Sequence, residues 1–237
     1  GAVWLFVNGI PRGMVWGLVF GFLEGRRTTE ALGAGLSASF IVASGAVKTV
    51  GAWWLAAGVS EEAMPFVVGL CFFPLLLLFV FMLTRLPPPS AEDVALRVRR
   101  EPMDGAERKR FFAAFWPGLV VLTALHFVLT ALRTIRDDFG ADIWQALLGS
   151  KNRPEIMTWT EIPVALGVLV ALGAMFRVKD NRKAMLVMLA IMGGGSALVG
   201  LATLGHDAHI VSHEAWMILL GLGLYLGMGW IGVISYL

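Results

Sequence analysis

Long apolar runs alternate with short polar segments along most of the chain. Each run has about 20 residues, the length an α-helix needs to cross a hydrocarbon core of roughly 30 Å. The runs lack the two-residue alternation of barrel strands. The pattern therefore predicts an all-α, polytopic transmembrane helical bundle of about seven helices. The predicted spans are Ala2 to Leu23, Ala31 to Ala57, Met64 to Thr84, Phe112 to Thr134, Ile156 to Phe176, Ala184 to Gly205, and Glu214 to Leu237.

Composition agrees with a membrane protein. Of the 237 residues, 57% are hydrophobic and 15% are charged, and the mean hydropathy is +0.75. The single cysteine, Cys71, lies inside an apolar run, which excludes an internal disulfide and a cysteine-based metal site. No nucleotide motif is present, so we predict no enzyme activity, no cofactor and no nucleic-acid partner. Because the chain begins without Met and ends in an apolar run, we interpret it as an internal fragment.

Basic residues indicate the orientation, because loops rich in Lys and Arg stay on the cytoplasmic side. Loops 24–30, 85–111 and 177–183 carry thirteen of them, whereas the alternate connections carry four. The three basic loops are therefore predicted to be cytoplasmic, in a multi-pass protein of the bacterial inner (plasma) membrane.

Ionisable side chains inside a bilayer are costly and usually face a cavity or a partner. The third and sixth predicted spans contain none, and we predict that they face lipid. Structural roles are open alternatives for the others: Arg133 could snorkel or pair with Asp137, and His126 could be a hydrogen-bonded packing residue. Candidates for a solute or proton pathway are Arg12, Lys48, His126, Thr130, Arg133 and Glu161.

Three local motifs have structural explanations. Ser90 with Asp93, and Asp104 with Glu107, have the spacing of capping boxes and predict two helix starts. The loop "GHDAHIVSHE" gathers three histidines, but their spacing matches no recognised ligand pattern, so we predict a solvated loop and no metal site. Glycines 193–195 are predicted to permit close helix packing.

The stretch "GMVWGLVFGFLEGRRTTEALGAGLSASFIVASGAVK" and the basic loop "FRVKDNRKAM" resemble parts of the major facilitator superfamily. The resemblance implies a fragment that covers family helices four to ten. Residues 1–84 would be the last three helices of the N-terminal half, 85–111 the cytoplasmic inter-half loop, and 112–237 the first four helices of the C-terminal half. It also implies that Asp180, Arg182 and Lys183 are gating-loop charges, although the expected glycine is absent there.

More narrowly, "LPPPSAEDVALRVRREPMDGAERKRFFAAFWPGL" and "RTIRDDFGADIW" resemble an uncharacterised bacterial family of facilitator-like proteins that is catalogued as a domain of unknown function. The expected function is secondary active transport of a small polar solute by alternating access, with an anion favoured because the candidate residues are mostly basic. The alternative is a non-transporting membrane sensor or scaffold. The expected partners are the lipid bilayer and a small-molecule solute, and the expected state is a monomer.

Overall fold

The structure is a computed structural model, and it describes residues 7, 14–15, 17–19, 21–23, 26, 29–96, 104–149, 153–178 and 180–227. These residues form helices and connecting turns, with no strand among them. The α-helices are α1 (Thr29–Ala56), α2 (Met64–Thr84), α3 (Ala91–Leu96), α4 (Gly105–Asp138), α5 (Gly140–Leu148), α6 (Ile156–Ala174), α7 (Asn181–Asp207) and α8 (His213–Gly227). A short 3₁₀ helix, Met175–Arg177, extends α6.

Five of these helices, α1, α2, α4, α6 and α7, are long and apolar enough to cross a membrane. By length and composition the chain is therefore a multi-pass membrane protein with an all-helical fold. The predicted spans at the two ends, Ala2 to Leu23 and Glu214 to Leu237, lie largely or partly outside the described residues. The total of seven spans stays a prediction.

Capping residues fix several helix starts, as the sequence predicts. Asp104 accepts hydrogen bonds from the backbone N–H groups of Ala106 and Glu107 at 2.8 and 2.7 Å, and the Glu107 carboxylate accepts from the Asp104 N–H at 3.0 Å. This capping box satisfies N–H groups that the first turn of α4 leaves without intrahelical partners. Ser90 and Asp93 make the corresponding contacts before α3.

The helix that contains the predicted fourth span does not stop at Thr134, the predicted end of that span, but continues to Asp138. No proline or glycine interrupts the chain between Thr134 and Phe139, so nothing stops the helix earlier. Its 34 residues extend over about 50 Å, longer than the hydrocarbon core. Arg136 and Asp137 therefore lie on the helix, not in a loop.

Two close helix pairs form the centre of the bundle. α1 packs along α6, where Ile41 meets Val164 and Val168 in a buried apolar cluster. α7 and α8 form an antiparallel hairpin in which a Cβ added at Gly195 would lie 2.7 Å from the Gly223 carbonyl oxygen. The two pairs meet where α6 packs against α8, and α4 also lies alongside α8.

The two helices predicted to face lipid differ. In α2 only Val68 is buried and Cys71 is exposed, which agrees with a peripheral position. In α7, by contrast, Ala184, Met188 and Met192 are buried in a core cluster. The prediction for α7 is therefore wrong for one face of the helix, because the lack of charge does not distinguish an apolar surface that meets lipid from one that meets another helix.

Candidate functional site

Five charged side chains from three helices meet near one end of the bundle. α1 contributes Lys48, α4 contributes Arg133, Arg136 and Asp137, and α6 contributes Glu161. We call these five residues the charged cluster. Ionised groups inside an apolar bundle are expensive unless they find partners, so the cluster is the main chemical feature of the described structure.

The ion pair between Arg136 and Glu161 is the shortest contact of the charged cluster. Arg136 Nη1 lies 2.8 Å from Glu161 Oε1, and the two side chains are only 3% and 7% exposed. Arg136 Nη2 also donates to the Met217 carbonyl oxygen at 3.2 Å. A Cβ added at Gly221 would lie 2.6 Å from that Nη2. The guanidinium therefore occupies space that the side chain of any residue other than glycine would fill.

Asp137 is surrounded by three cations at longer distances. Its Oδ1 lies 3.7 Å from Lys48 Nζ and 3.5 Å from Arg136 Nη1, and its Oδ2 lies 4.0 Å from Arg133 Nε. None of these contacts has the length of a strong hydrogen bond, so Asp137 acts on its neighbours mainly through charge. Three cations and two carboxylates give the charged cluster one excess positive charge.

Several buried polar atoms around the charged cluster have no hydrogen-bond partner among the described residues. They are Arg133 Nε, Arg136 Nε, Asp137 Oδ1, Glu161 Oε2 and the hydroxyl of Tyr225. Such atoms are uncommon in folded proteins and call for water, a ligand or a rearrangement. The set includes both donors and acceptors, so the site offers unused groups of either kind.

The adjacent cavity is small, about 10 Å³, which is the room of about one water molecule. Arg136 and Glu161 contribute its polar walls. Trp144 of α5, which is 2% exposed, closes it from the end of the bundle together with Met157 and Met217. In this conformation the Arg136–Glu161 pair is buried, whereas the Lys48, Arg133 and Asp137 side chains are 28%, 27% and 19% exposed.

Direct contacts between α1 and α6 close the same end. The Thr49 hydroxyl donates to the Pro154 carbonyl oxygen at 2.9 Å and lies 2.7 Å from the hydroxyl of Thr158. One turn further, the Trp53 indole N–H donates to the Glu155 carboxylate at 2.9 Å. Hydrogen bonding at its own backbone and from Trp53 lowers the pKa of Glu155, which keeps this exposed carboxylate ionised.

The charged cluster also fits an alternating up-and-down topology. Lys48 and Arg136 come late in α1 and α4, whereas Glu161 comes early in α6 and Met217, whose carbonyl oxygen accepts from Arg136, comes early in α8. Residues late in α1 and α4 lie next to residues early in α6 and α8. The first two helices therefore run in the opposite direction to the last two. Glu161 lies about 8 Å and Lys48 about 12 Å along the helix axis from the ends of their helices.

Three of the predicted pathway residues, Lys48, Arg133 and Glu161, lie together in the charged cluster. His126 and Thr130 lie earlier in α4, where the Thr130 hydroxyl is 3.3 Å from His126 Nε2. His126 is about 15 Å from Arg136 along the helix axis, so the structure does not place it within the charged cluster. Arg12 lies outside the described residues.

The predicted gating-loop residues form the start of α7. Asp180 caps this helix, since its Oδ1 accepts from the Lys183 backbone N–H at 2.9 Å. The Arg182 and Lys183 side chains are exposed. The capping contact accounts for the aspartate locally, and a gating role for the three residues stays a prediction.

Sequence reasoning missed Arg136 as the central residue, because it was counted with the loop after the fourth span. A signal was available in the heptad spacing of Leu129 and Arg136, which places both on one helix face. These are the buried residues of α4. An arginine continuing an apolar face, with no helix breaker before Phe139, indicates a buried charge.

Among family models, one matches residues 1–235, and its description is "Family of unknown function (DUF5690)". No curated protein and no solved structure matches the chain.

Proposed function

We propose that this chain, which belongs to the Family of unknown function (DUF5690) through a match over residues 1–235, is part of a secondary active transporter for a small polar solute. The proposal includes a major-facilitator-like arrangement, in which two helical halves rock around a shared site, and a place in the bacterial inner membrane. Loops 24–30, 85–111 and 177–183 would face the cytoplasm, which puts the charged cluster nearer the periplasm.

The observation that carries the proposal is the charged cluster itself. Ionisable residues within membrane helices are rare, and they usually pair with one another or line a solute or ion pathway. This cluster gathers five of them and leaves several buried polar atoms without a hydrogen bond among the described residues. A purely structural ion pair needs only Arg136 and Glu161.

The position of the charged cluster supports alternating access. Lys48 precedes the basic segment 85–111, while Arg136 and Glu161 follow it, so the cluster bridges the two proposed halves. α1 from the first half packs along α6 from the second. Since the cavity has room for about one water, a solute can enter only if these helices move apart.

The test is transport by the purified full-length protein reconstituted into lipid vesicles. A panel of labelled solutes, containing lactate, succinate, glycerol phosphate, alanine, choline and glucose, would be screened for uptake driven by a solute or proton gradient. Lys48→Gln and Arg136→Gln should abolish uptake of any solute that the parent carries. Arg110→Gln, a change of an exposed arginine near the start of α4, is the matched control and should retain uptake.

Two results would contradict the proposal. One is the absence of uptake of every panel solute by correctly inserted parent protein. The other is uptake by Lys48→Gln and Arg136→Gln variants equal to that of the parent. Either result would favour the non-transporting sensor or scaffold, in which the charged cluster serves only to join helices.

A further inference from the structure

We propose that the charged cluster binds a small monoanion at Arg136, and that Glu161 takes up one proton from water as the solute replaces it on the guanidinium. This inference rests on the proposed transport function and specifies its solute class and coupling ion. Its basis is the unequal surroundings of the two carboxylates and the charge of the charged cluster.

Glu161 is the carboxylate that a solute can replace. Among the described residues its ion-pair partner is Arg136, which it contacts through one oxygen, while its Oε2 has no hydrogen bond. Asp137 instead has three cations within 4.0 Å: Lys48, Arg133 and Arg136. Removing Glu161 from Arg136 breaks one close contact, whereas neutralising Asp137 would leave three cations facing one another. Glu161 is therefore the proton acceptor.

Arg136 is held in place for a second anion. The Met217 carbonyl oxygen fixes Nη2 and the surface of Gly221 supports the guanidinium, so the group stays where it is when Glu161 leaves. Nε then provides a donor that no described residue uses. A carboxylate or phosphate ester is the ligand that matches a fork of guanidinium N–H groups.

The charge balance at the Arg136–Glu161 pair favours a monoanion that binds together with a proton. The charged cluster has three cations and two carboxylates before binding. One added negative charge and one proton on Glu161 leave this buried charge unchanged. Binding the anion alone would bring the net charge to zero, but it would leave an ionised Glu161 in the bundle without its close contact to Arg136.

The groups facing Glu161 are compatible with this exchange. Arg136 and Asp137 face it from α4, and Lys48 from α1. From α8, Tyr225 supplies a buried hydroxyl that has no hydrogen bond among the described residues. After protonation the Glu161 carboxyl can donate a hydrogen bond. The Tyr225 hydroxyl can form a hydrogen bond with either the displaced carboxyl or the solute.

The experiment measures binding and proton uptake together in the full-length protein in detergent. Lactate and acetate are the monoanionic probes, succinate the dianionic probe, and choline and glucose the controls for other classes. Thermal stabilisation gives the apparent Kd at several pH values, and a pH dye in weak buffer counts protons. For a monoanion we expect uptake of one proton per protein and a Kd that weakens about tenfold per pH unit above the titration of Glu161.

Two variants test the named residues. Glu161→Gln should bind the same monoanion without proton uptake and without pH dependence, while Glu214→Gln, which changes an exposed carboxylate in the first turn of α8, should behave like the parent. Gly221→Ala keeps every charge but displaces the guanidinium, so it should weaken binding at least tenfold; Gly194→Ala, at an open glycine of α7, should not. If Glu161→Gln fails to fold, the comparison of Gly221→Ala with Gly194→Ala still tests whether the anion binds at Arg136.

The outcomes separate this inference from the transporter itself. Selective binding of choline, glucose or succinate, or monoanion binding without proton uptake, would overturn the inference and leave the transport function standing. Binding that Glu161→Gln leaves equally pH-dependent would overturn it as well. Absence of binding by every probe overturns it too, while the vesicle uptake screen decides independently whether the protein transports.

Discussion

Gly45→Ala should destabilise the protein because Gly45 marks the closest approach of α1 to α6. A Cβ at this position would lie 2.6 Å from the Met157 carbonyl oxygen, 2.9 Å from Glu161 Cγ and 3.1 Å from Thr158 Cα. Two of these three atoms belong to the backbone of α6 and cannot move without the helix. The added methyl group must therefore push the two helices apart.

The size of the effect follows from these distances. A comfortable C···O contact is roughly 3.3 Å, so the helices must separate locally by about 0.7 Å. Overpacking of this kind costs about 1–3 kcal/mol, and the better helix propensity of alanine offsets about 1 kcal/mol of it. The net loss should be about 0–2 kcal/mol, and Gly45→Ala should be about 1–3 kcal/mol less stable than a glycine-to-alanine change of the same helix that meets no other atom. Gly35→Ala, on the same helix with no atom within 4 Å of its added Cβ, should instead be neutral or slightly stabilising.

The assay is reversible unfolding in mixed micelles of a mild detergent and dodecyl sulfate, followed by tryptophan fluorescence and circular dichroism. The comparison of the two alanine variants removes the common helix-propensity term. If Gly45→Ala is as stable as Gly35→Ala, α1 and α6 do not approach as closely as described. The explanation of the buried position of Glu161, which rests on the same contact, would then also be wrong.

Three further outcomes are expected. Cys71→Ala should leave stability and function unchanged, because this cysteine is exposed on the peripheral α2; a transport defect in a correctly inserted variant would contradict that position. Gly195→Ala should destabilise the α7–α8 hairpin by about 1–3 kcal/mol in the same unfolding assay, whereas Gly194→Ala should not, since only the former would meet backbone atoms of α8. A cysteine at Glu61 should react with an impermeant thiol reagent in intact cells while one at Arg182 stays protected, and the reverse pattern would refute the orientation.

Much of the fold was predictable because it depends on local and one-dimensional properties. Apolar run length sets the membrane helices, and α2 begins and ends at the predicted residues Met64 and Thr84. Side chains that accept from nearby N–H groups set helix starts, as Asp104 does for α4. These signals lie within a few residues of the feature that they determine, so one sequence is enough to read them.

The charged cluster was predictable in kind but not in composition. Lys48, Arg133 and Glu161 stand out because each interrupts an apolar run. Arg136 does not, since it follows the predicted end of its span and looks like a loop residue. Its importance depends on α5 folding over it and on α8 passing beside it, and these are contacts between segments that no local pattern encodes.

The partners that bury the ion pair explain why the charges can be there at all. Gly45 of α1 lies against the stem of Glu161, and Gly221 of α8 lies against the guanidinium of Arg136. Each charged side chain thus occupies volume that a glycine of a neighbouring helix leaves open. A Cβ at either glycine would overlap the Glu161 stem or the Arg136 guanidinium, so α1 and α8 must keep a glycine at these two contacts. The ion pair therefore fixes the register of four helices, so a solute that separates Arg136 from Glu161 acts directly on the packing that holds the bundle closed.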